Sequence, residues 1–487
     1  MGNATEEALY QHLGFFDRPE FPDAPRWFKR RGHHILDNIM QFQPGAFGRL
    51  ADALSSEAIE SLSLRWSKGS GPRYKKKGFK SKGEAWKNGA KEELVRDVSA
   101  LLGGSFRAPH PACAGGRGKL STKAKIRLAQ QLGRLVWEMD VVDVGIGTLV
   151  LQPINAWHRG NPNITSVGKT FFYNGGQHHS RYFGYDRDER LFGVGTDARK
   201  LDSSLRGWLV REIFKRFRRG FVDGHDATYD VLFEFLCQLH IGGDIYMPGG
   251  AFWRVGTGSC SGAPFVSMME CYYTGFIHQY GLVEMLQSHK GWYFRKCARY
   301  IARHLRILCL GDDNWFTVNG PIPLEHFWCL RRFRALTLFR FGVEIHITKS
   351  HQGHGLGAFF YLSRKLDEEC NTYRDLSVTL ERWKYPENKM LNPSKSYVRA
   401  AALMADNPTI TVAVLMCDYM AFLRRKYKVV PGLCDWVDDF VFREADVNVT
   451  DATQYGDILL LYRTERPADQ LQYDFRPHRR WRHSEPP

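Results

Sequence analysis

Two short apolar runs around a Gly-Asp-Asp tripeptide constrain this chain more than any other local pattern. Arg306-Ile307-Leu308-Cys309-Leu310 precedes Gly311-Asp312-Asp313, and Asn314-Trp315-Phe316-Thr317-Val318 follows it. Such runs about a glycine turn read as a β-hairpin with adjacent carboxylates at its tip. Neighbouring aspartates repel, and folding gains nothing from placing them there. Divalent cations would gain: magnesium takes hard oxygen ligands and completes its octahedron with water and phosphate oxygens. A carboxylate pair on a rigid turn is therefore half of a two-metal phosphoryl-transfer site, whose other half must come from elsewhere in the chain. A second pair, Asp438-Asp439, lacks the glycine turn and the flanking strands, and reads as a solvated acidic helix face.

At 487 residues the chain can bury several cores, and 43% hydrophobic content marks a folded protein. The formal charge of +16 points to a polyanionic partner, nucleic acid ahead of an anionic membrane. The ten cysteines show neither Cys-x-x-Cys nor zinc spacing, so reduced thiols of a cytosolic protein are expected. No signal peptide is read at the start. The longest apolar stretch, residues 409–423, carries Asp418 and is too short to span a bilayer, so no membrane partner is expected. A near-match to a myristoylation site fails at Glu6.

The missing carboxylates appear upstream. An apolar run from Leu191 leads into Asp197, and Asp202 follows five positions later, where Ser203 and Ser204 suit a helical first turn continuing through residues 205–217. Asp197 is placed to face the same ions as Asp312. Asp202 suits either a ribose hydroxyl or a helix cap. The rival acidic stretch at residues 223–230 lacks a preceding strand and reads as a loop entering a helix. Between the two acidic sites, residues 256–265 form a glycine-rich loop feeding a helix to about Tyr280, which offers backbone N–H groups to a phosphate or sugar.

Cations surround this set. Residues 68–91 are rich in glycine and lysine without apolar period and read as an exposed basic loop, either a solvated linker or an RNA contact. Lys123, Lys125 and Arg127 alternate on one face of an extended segment, with Arg134 opening the next strand; they can track phosphates or guard a strand edge. Residues 341–350 read as a strand ending near Lys349, and residues 359–365 as a second apolar run carrying Arg364 and Lys365. Beyond Leu366 the chain reads as mainly helical, with helices at residues 397–405 and 409–427 and a basic tail at 476–483.

In this order the set resembles the viral RNA-dependent RNA polymerases. Asp197-x4-Asp202 looks like their motif A, Ser261-Gly262 with its helix motif B, and Gly311-Asp312-Asp313 motif C. Lys349 looks like the motif D lysine, residues 359–365 like motif E, and residues 119–137 like the basic finger motif F. Gly133-Arg134-Leu135-Val136-Trp137, Tyr385-Pro386-Glu387 and Arg399-Ala400-Ala401-Ala402-Leu403 are similar to segments of partitiviruses and picobirnaviruses, which have double-stranded RNA genomes. In motif B this chain has Val266 and Glu270 where many relatives have Thr and Asn; an acidic residue at the second place is frequent in partitivirus-like enzymes.

The resemblance implies a multi-domain α+β right hand, with an antiparallel-sheet palm packed on helices and fingers closed onto a mainly helical thumb. Residues 1–190 would be N-terminal extension and fingers, residues 191–365 the palm with a finger insertion at about 221–254, and residues 366–487 the thumb and tail. It also implies two Mg²⁺ or Mn²⁺ ions held by Asp197, Asp312 and Asp313, and Lys349 as proton donor to pyrophosphate. Asp202, Ser261, Gly262 and Glu270 would face the nucleotide's ribose; Lys125, Arg127 and Arg134 its triphosphate; Lys123, Arg364 and Lys365 the RNA. Partners would be template and product duplex, NTPs and viral capsid protein. The enzyme would act as a monomer in the host cytoplasm, inside the virion. Two other readings stay open, a reverse-transcriptase-like palm polymerase and a non-catalytic RNA-binding or nucleocapsid protein. Asp202 argues against the first, since a bulky steric gate is expected there, and the ordered acidic and glycine sites argue against the second.

Overall fold

The computed structural model describes residues 6–17, 23–118, 133–166, 169–385 and 392–434, with 458–459 and 462–463. Lys123, Lys125, Arg127, Asp438-Asp439 and the basic tail lie outside the described residues.

Among the described residues, the regular elements of the first hundred are helices, from α1 (Glu6–Leu13) to α2 (Lys91–Leu102). Between them the basic segment at 68–91 departs from the expected loop. Pro72–Lys76 and Lys82–Ala85 are short helices, the second opened by a Ser81/Glu84 capping box. Tyr74 is buried, its hydroxyl donating to Glu93 at 2.7 Å. Tyr74, Phe79 and Trp86 are spaced five and seven apart among glycines and lysines, which sets up no apolar period, so the pattern hid this packing.

Next come β1 (Ala112–Gly118), β2 (Gly133–Glu138), α3 (Val141–Gly160) and α4 (Gly175–Phe183). β3 (Phe192–Gly195) and β4 (Ala198–Arg199) precede α5 (Gly207–Arg219) and α6 (Asp230–His240). β5 (Gly243–Tyr246) and β6 (Phe252–Val255) lie within the expected insertion and join β1 and β2 in a four-stranded sheet of order β2-β1-β5-β6.

The long helix α7 (Val266–Lys290) has buried residues on nearly every side, as a helix apolar all round must. It runs ten residues past the expected end at Tyr280. Amphipathic α8 (Phe294–His304) buries Phe294, Cys297, Ala298 and Ile301, spaced i, i+3, i+4 and i+7, and leads into β7 (Leu305–Leu310) and β8 (Asp313–Val318). After α9 (Leu330–Phe341) come β9 (Glu344–Ile345) and β10 (His351–His354). β11 (Lys365–Leu366) pairs with β12 (Thr372–Tyr373), followed by α10 (Leu376–Lys384), α11 (Pro393–Asp406) and α12 (Ile410–Tyr427). The last two match the helices expected from the sequence.

The second four-stranded sheet, β10-β3-β8-β7, is antiparallel, with β3, β8 and β7 largely buried and β10 exposed at its edge. Side chains alternate across a strand. Ile307, Cys309, Phe316 and Val318 enter one core with α7 and the N-terminal helices, where Trp27 and Phe28 pack on Tyr280 and Phe276. Leu308 and Trp315 enter a second core with α4, Phe359, Tyr361, α11 and α12. Trp315 lies so close to β3 that a Cβ at Gly195 would sit 2.8 Å from its ring, so only glycine fits there.

Two expected elements take other forms, and the apolar run at 359–365 turns rather than extends. The helix after Asp202 is interrupted: Leu201–Ser204 is a single turn, Leu205 and Arg206 are extended, and α5 restarts at Gly207. The interruption frees the Leu205 carbonyl to accept from Gly258 N–H at 3.3 Å and from the Thr257 hydroxyl at 3.3 Å. The strand expected up to Lys349 is only β9; Phe341 ends α9, Gly342 caps it with φ +70°, and Ile347–Lys349 is a 3₁₀ turn. Residues 359–364 form no strand, because Leu362 and Ser363 turn the chain with φ of +55° and +57°.

Candidate active site at the hairpin

Leu310 pairs with Asp313, so Gly311 and Asp312 form a two-residue hairpin loop. Gly311 takes φ +65° in the first loop position, which the twist of a tight hairpin favours. Asp312 is half-buried and Asp313 exposed, beside fully buried Trp315 and Phe316.

β3 brings the partner. Gly193 lies opposite Thr317 and Val194 opposite Phe316, and the Asn314 side chain bonds the backbone of Thr196, the residue before Asp197. Asp197 is half-buried just past the strand. Its backbone is gripped on both sides by the next segment of the site. The Asp197 N–H donates to Ser350 Oγ at 3.2 Å, and its carbonyl accepts from His346 N–H at 2.8 Å. Exposed Lys349 belongs to that same 3₁₀ turn, so the structure brings it to the acidic strand ends.

Asp202 stands where the first acidic segment meets the glycine-rich loop. Its carbonyl accepts from Ser259 N–H at 2.7 Å, while Oδ1 accepts from Ser203 N–H at 2.8 Å. Asp202 is the second residue of the short turn Leu201–Ser204, whose cap position is Lys200, so it does not cap the helix. Exposed Ser261 faces the first sheet, its Oγ accepting from Trp137 N–H at 3.4 Å, and Gly262 packs against the Trp137 carbonyl. Arg134 lies on β2 opposite Arg117 in the ladder.

Helix α7 supplies the floor. Glu270 Oε2 is 3.2 Å from where a Cβ on Gly311 would stand, which puts a fourth carboxylate at the turn. One residue on, the Cys271 thiol donates to the Cys309 carbonyl at 3.1 Å, and burial pushes its pKa up to about 12. It is a structural thiol, not a ligand or nucleophile.

The donor set fits hard divalent cations: carboxylates of Asp197, Asp312, Asp313 and Glu270 at one end of a rigid sheet, partly open to water and phosphate oxygens. His351, next to β3 in the ladder, was not singled out from the sequence. It lies opposite Gly195 on the strand that leads to Asp197, its ring 3.9 Å from that of Phe360.

Arg364 is corrected. It is 7% exposed, its guanidinium donates to Asp406 at 2.7 Å, and it lies over the Phe171 ring, so it cannot reach RNA. Lys365 is half-buried and pairs with Asp375 at 2.8 Å.

Among the described residues, the group whose ligand atoms lie within 4.8 Å of one another is a different one, His110, Asp140 and Asp143. Arg73 donates to both oxygens of Asp140, at 3.0 and 3.1 Å, and Arg107 donates to Asp143 at 2.7 Å. Guanidinium groups already supply the positive charge that an ion would bring, and the cluster reads as a buried ionic joint.

The hairpin and its neighbours sit on a mixed framework of helices and small sheets. The family model for viral RNA-dependent RNA polymerase matches residues 3–428, and the chain belongs to that family. It is an RNA-directed RNA polymerase, a nucleotidyltransferase of viral RNA replication, which binds RNA template and NTPs; the family uses divalent metal ions. No curated protein matches the chain. The match begins within the first residues, so the N-terminal helices, which carry no motif of their own, are part of the polymerase.

Proposed function

We propose that this polymerase copies RNA by two-metal nucleotidyl transfer at the hairpin, with Asp197, Asp312 and Asp313 holding two Mg²⁺ or Mn²⁺ ions. The observation that carries the reading is the convergence of β3 and the hairpin, which sets three aspartates at one sheet end with Lys349 on the turn that grips Asp197. When bound, the ions would lower the pKa of the RNA 3′-hydroxyl and neutralise charge at the α-phosphate.

The protein's own part is positioning. Asp202 would leave its second carboxylate oxygen for the ribose 2′-OH, the group that distinguishes RNA from DNA. Ser261, Gly262 and Glu270 would face the same ribose. Lys349 would give its proton to the departing pyrophosphate. Lys125, Arg127 and Arg134 would meet the triphosphate, while Lys123 and Lys365 would track RNA phosphates, making binding strongly salt-dependent.

In this reading the sheet with the hairpin is the palm, residues 1–190 with about 221–254 are extension and fingers, and residues 366–487 the thumb. The partitivirus and picobirnavirus likeness supports a double-stranded RNA genome, a capsid partner and a monomeric enzyme working inside the virion in the host cytoplasm. Among the described residues no helix is long and apolar enough to cross a membrane.

Incubating purified protein with a short single-stranded RNA, Mg²⁺ and NTPs tests this. Full-length duplex that disappears with EDTA is expected, with rNTPs preferred over dNTPs. A preference for dNTPs would move the assignment to reverse transcription, and RNA binding without synthesis would remove the two-metal reading.

A further inference from the structure

Beneath the aspartates lies a chain of buried polar groups that the chemistry above does not use. Asn314 follows the two hairpin aspartates and is 4% exposed; Thr196 precedes Asp197 and is 5% exposed. The Asn314 amide nitrogen donates to the Thr196 carbonyl at 2.9 Å and to the Asp312 carbonyl at 2.9 Å. Its amide oxygen accepts from Thr196 N–H at 3.2 Å. Flipping the amide would aim its oxygen at two carbonyls and its NH₂ at an N–H, so the orientation is fixed.

Helix α7 fastens this bridge from below. His278 Nδ1 lies 2.7 Å from the Thr274 carbonyl, which can only accept, so Nδ1 carries the hydrogen. Nε2 is then the acceptor for the Thr196 hydroxyl at 2.8 Å. That hydroxyl oxygen in turn lies 3.2 Å from the Asn314 NH₂. Thr274 also donates its own hydroxyl to the Gly311 carbonyl at 2.8 Å. Glu270, Thr274 and His278 follow at i, i+4 and i+8, so one face of α7 touches both the hairpin turn and the end of β3.

We propose that Asn314 and Thr196, locked by Thr274 and His278, form a clasp that sets the spacing of Asp197 and Asp312 and so tunes metal binding. These are positioning residues, since none carries a carboxylate or reaches substrate. The inference rests on the reading that those aspartates hold the metal. Ladder pairing alone does not hold the strand ends together here: the β3–β8 pairs stop at Gly193 and Val194, and the Asn314 amide supplies the cross-strand bonds beyond them. Groups that orient metal ligands from behind change metal affinity or activity by roughly ten- to a hundredfold when removed.

The test reads Mn²⁺ binding to the full chain by electron paramagnetic resonance, without RNA or NTP, beside the Mg²⁺ concentration giving half-maximal incorporation. Asn314→Ala should weaken Mn²⁺ binding roughly tenfold or more and raise the Mg²⁺ requirement, while RNA binding and a cooperative melt persist. Thr196→Val, which removes only the hydroxyl, should give a smaller shift in the same direction, and Thr196→Ser should restore it. If Asn314→Ala does not fold, Asn314→Ser and Thr196→Val carry the same readouts. Wild-type metal binding and Mg²⁺ dependence in the folded variants would overturn the clasp. Asp312→Ala serves as control: if it too binds Mn²⁺ and incorporates nucleotide normally, the site reading itself has failed, whereas its loss beside an unaffected Asn314→Ala refutes the clasp alone.

Discussion

Asp406 and Asp312 are both aspartates at the end of a regular element, yet their surroundings differ in every respect that matters. Asp406 closes α11 at 7% exposure, within reach of three guanidinium groups: Arg364 at 2.7 Å, Arg374 at 2.6 Å and Arg382 at 3.0 Å. Burial alone would raise its pKa, but Arg364 and Arg374 outweigh it and hold the carboxyl at about 2. Asp312 is half-buried on a hairpin turn next to exposed Asp313, with the Glu270 carboxylate beside Gly311. A carboxylate matched by arginines in the interior is a joint. Carboxylates at a sheet end that faces solvent offer hard oxygen ligands to a cation arriving from outside. The Asp140–Arg73 and Asp143–Arg107 pairs fall with the joints.

The contrast breaks most visibly under alanine. Asp197→Ala and Asp312→Ala should each lower nucleotide incorporation by on the order of a thousandfold, with melting temperature nearly unchanged. The double variant should lose little more than either single, because the two act as a unit; additive losses in single-turnover rates would separate them. Asp406→Ala should do the reverse, destabilising the fold by about 3–5 kcal/mol because it strands buried guanidinium charge. Denaturant unfolding checks this, and a stable, inactive variant would place Asp406 in the chemistry.

Acid sharpens the same distinction, since buried neutral histidines also hold the framework. His240 donates from Nδ1 to the Leu236 carbonyl and accepts the Phe265 N–H at Nε2, 3.1 Å away, fixing the start of α7. Burial lowers its pKa from 6.5 to about 4, and that of His179 from 6.5 to about 3. Between those values and 6.5 the unfolded chain binds more protons, so this stability is complete above pH 6.5 and drains away as pH falls toward 4. At about 1.4 kcal/mol per pKa unit, His240 contributes up to about 3 kcal/mol. Unfolding followed from pH 7 to 4 should show the loss, and His240→Gln should flatten it.

Two cations make the smallest test. Lys349→Ala should slow single-turnover incorporation on the order of tenfold to a hundredfold while leaving Mn²⁺ binding intact. Arg364→Ala should instead lower the melting temperature. An unchanged rate in Lys349→Ala would remove its acid role.

How far these differences could be read from the sequence follows from how local they are. The hairpin, the run into Asp197, the glycine-rich loop and helix α12 declare themselves within a few residues, through apolar period and turn chemistry. Arg364 does not, because its partner Asp406 lies 42 residues on and only packing buries both. The break at Leu205 depends on bonds from Thr257 and Gly258, and the turn that carries Lys349 follows a helix end at Gly342. Asn314, Thr196 and His278 looked like ordinary strand and helix residues, since their bonds exist only once α7 lies under the sheet. Glu270, the departure from the usual motif B pattern, turns out to face Gly311.

The central claim is that the carboxylates converging on the hairpin are where RNA is made. Matched wild-type and Asp312→Ala proteins, incubated with a short single-stranded RNA, Mg²⁺ and NTPs, test it most directly, with RNA binding measured on the same samples. The account predicts full-length duplex from the wild type and none from Asp312→Ala at equal RNA affinity; extension of RNA by the Asp312→Ala protein would contradict it.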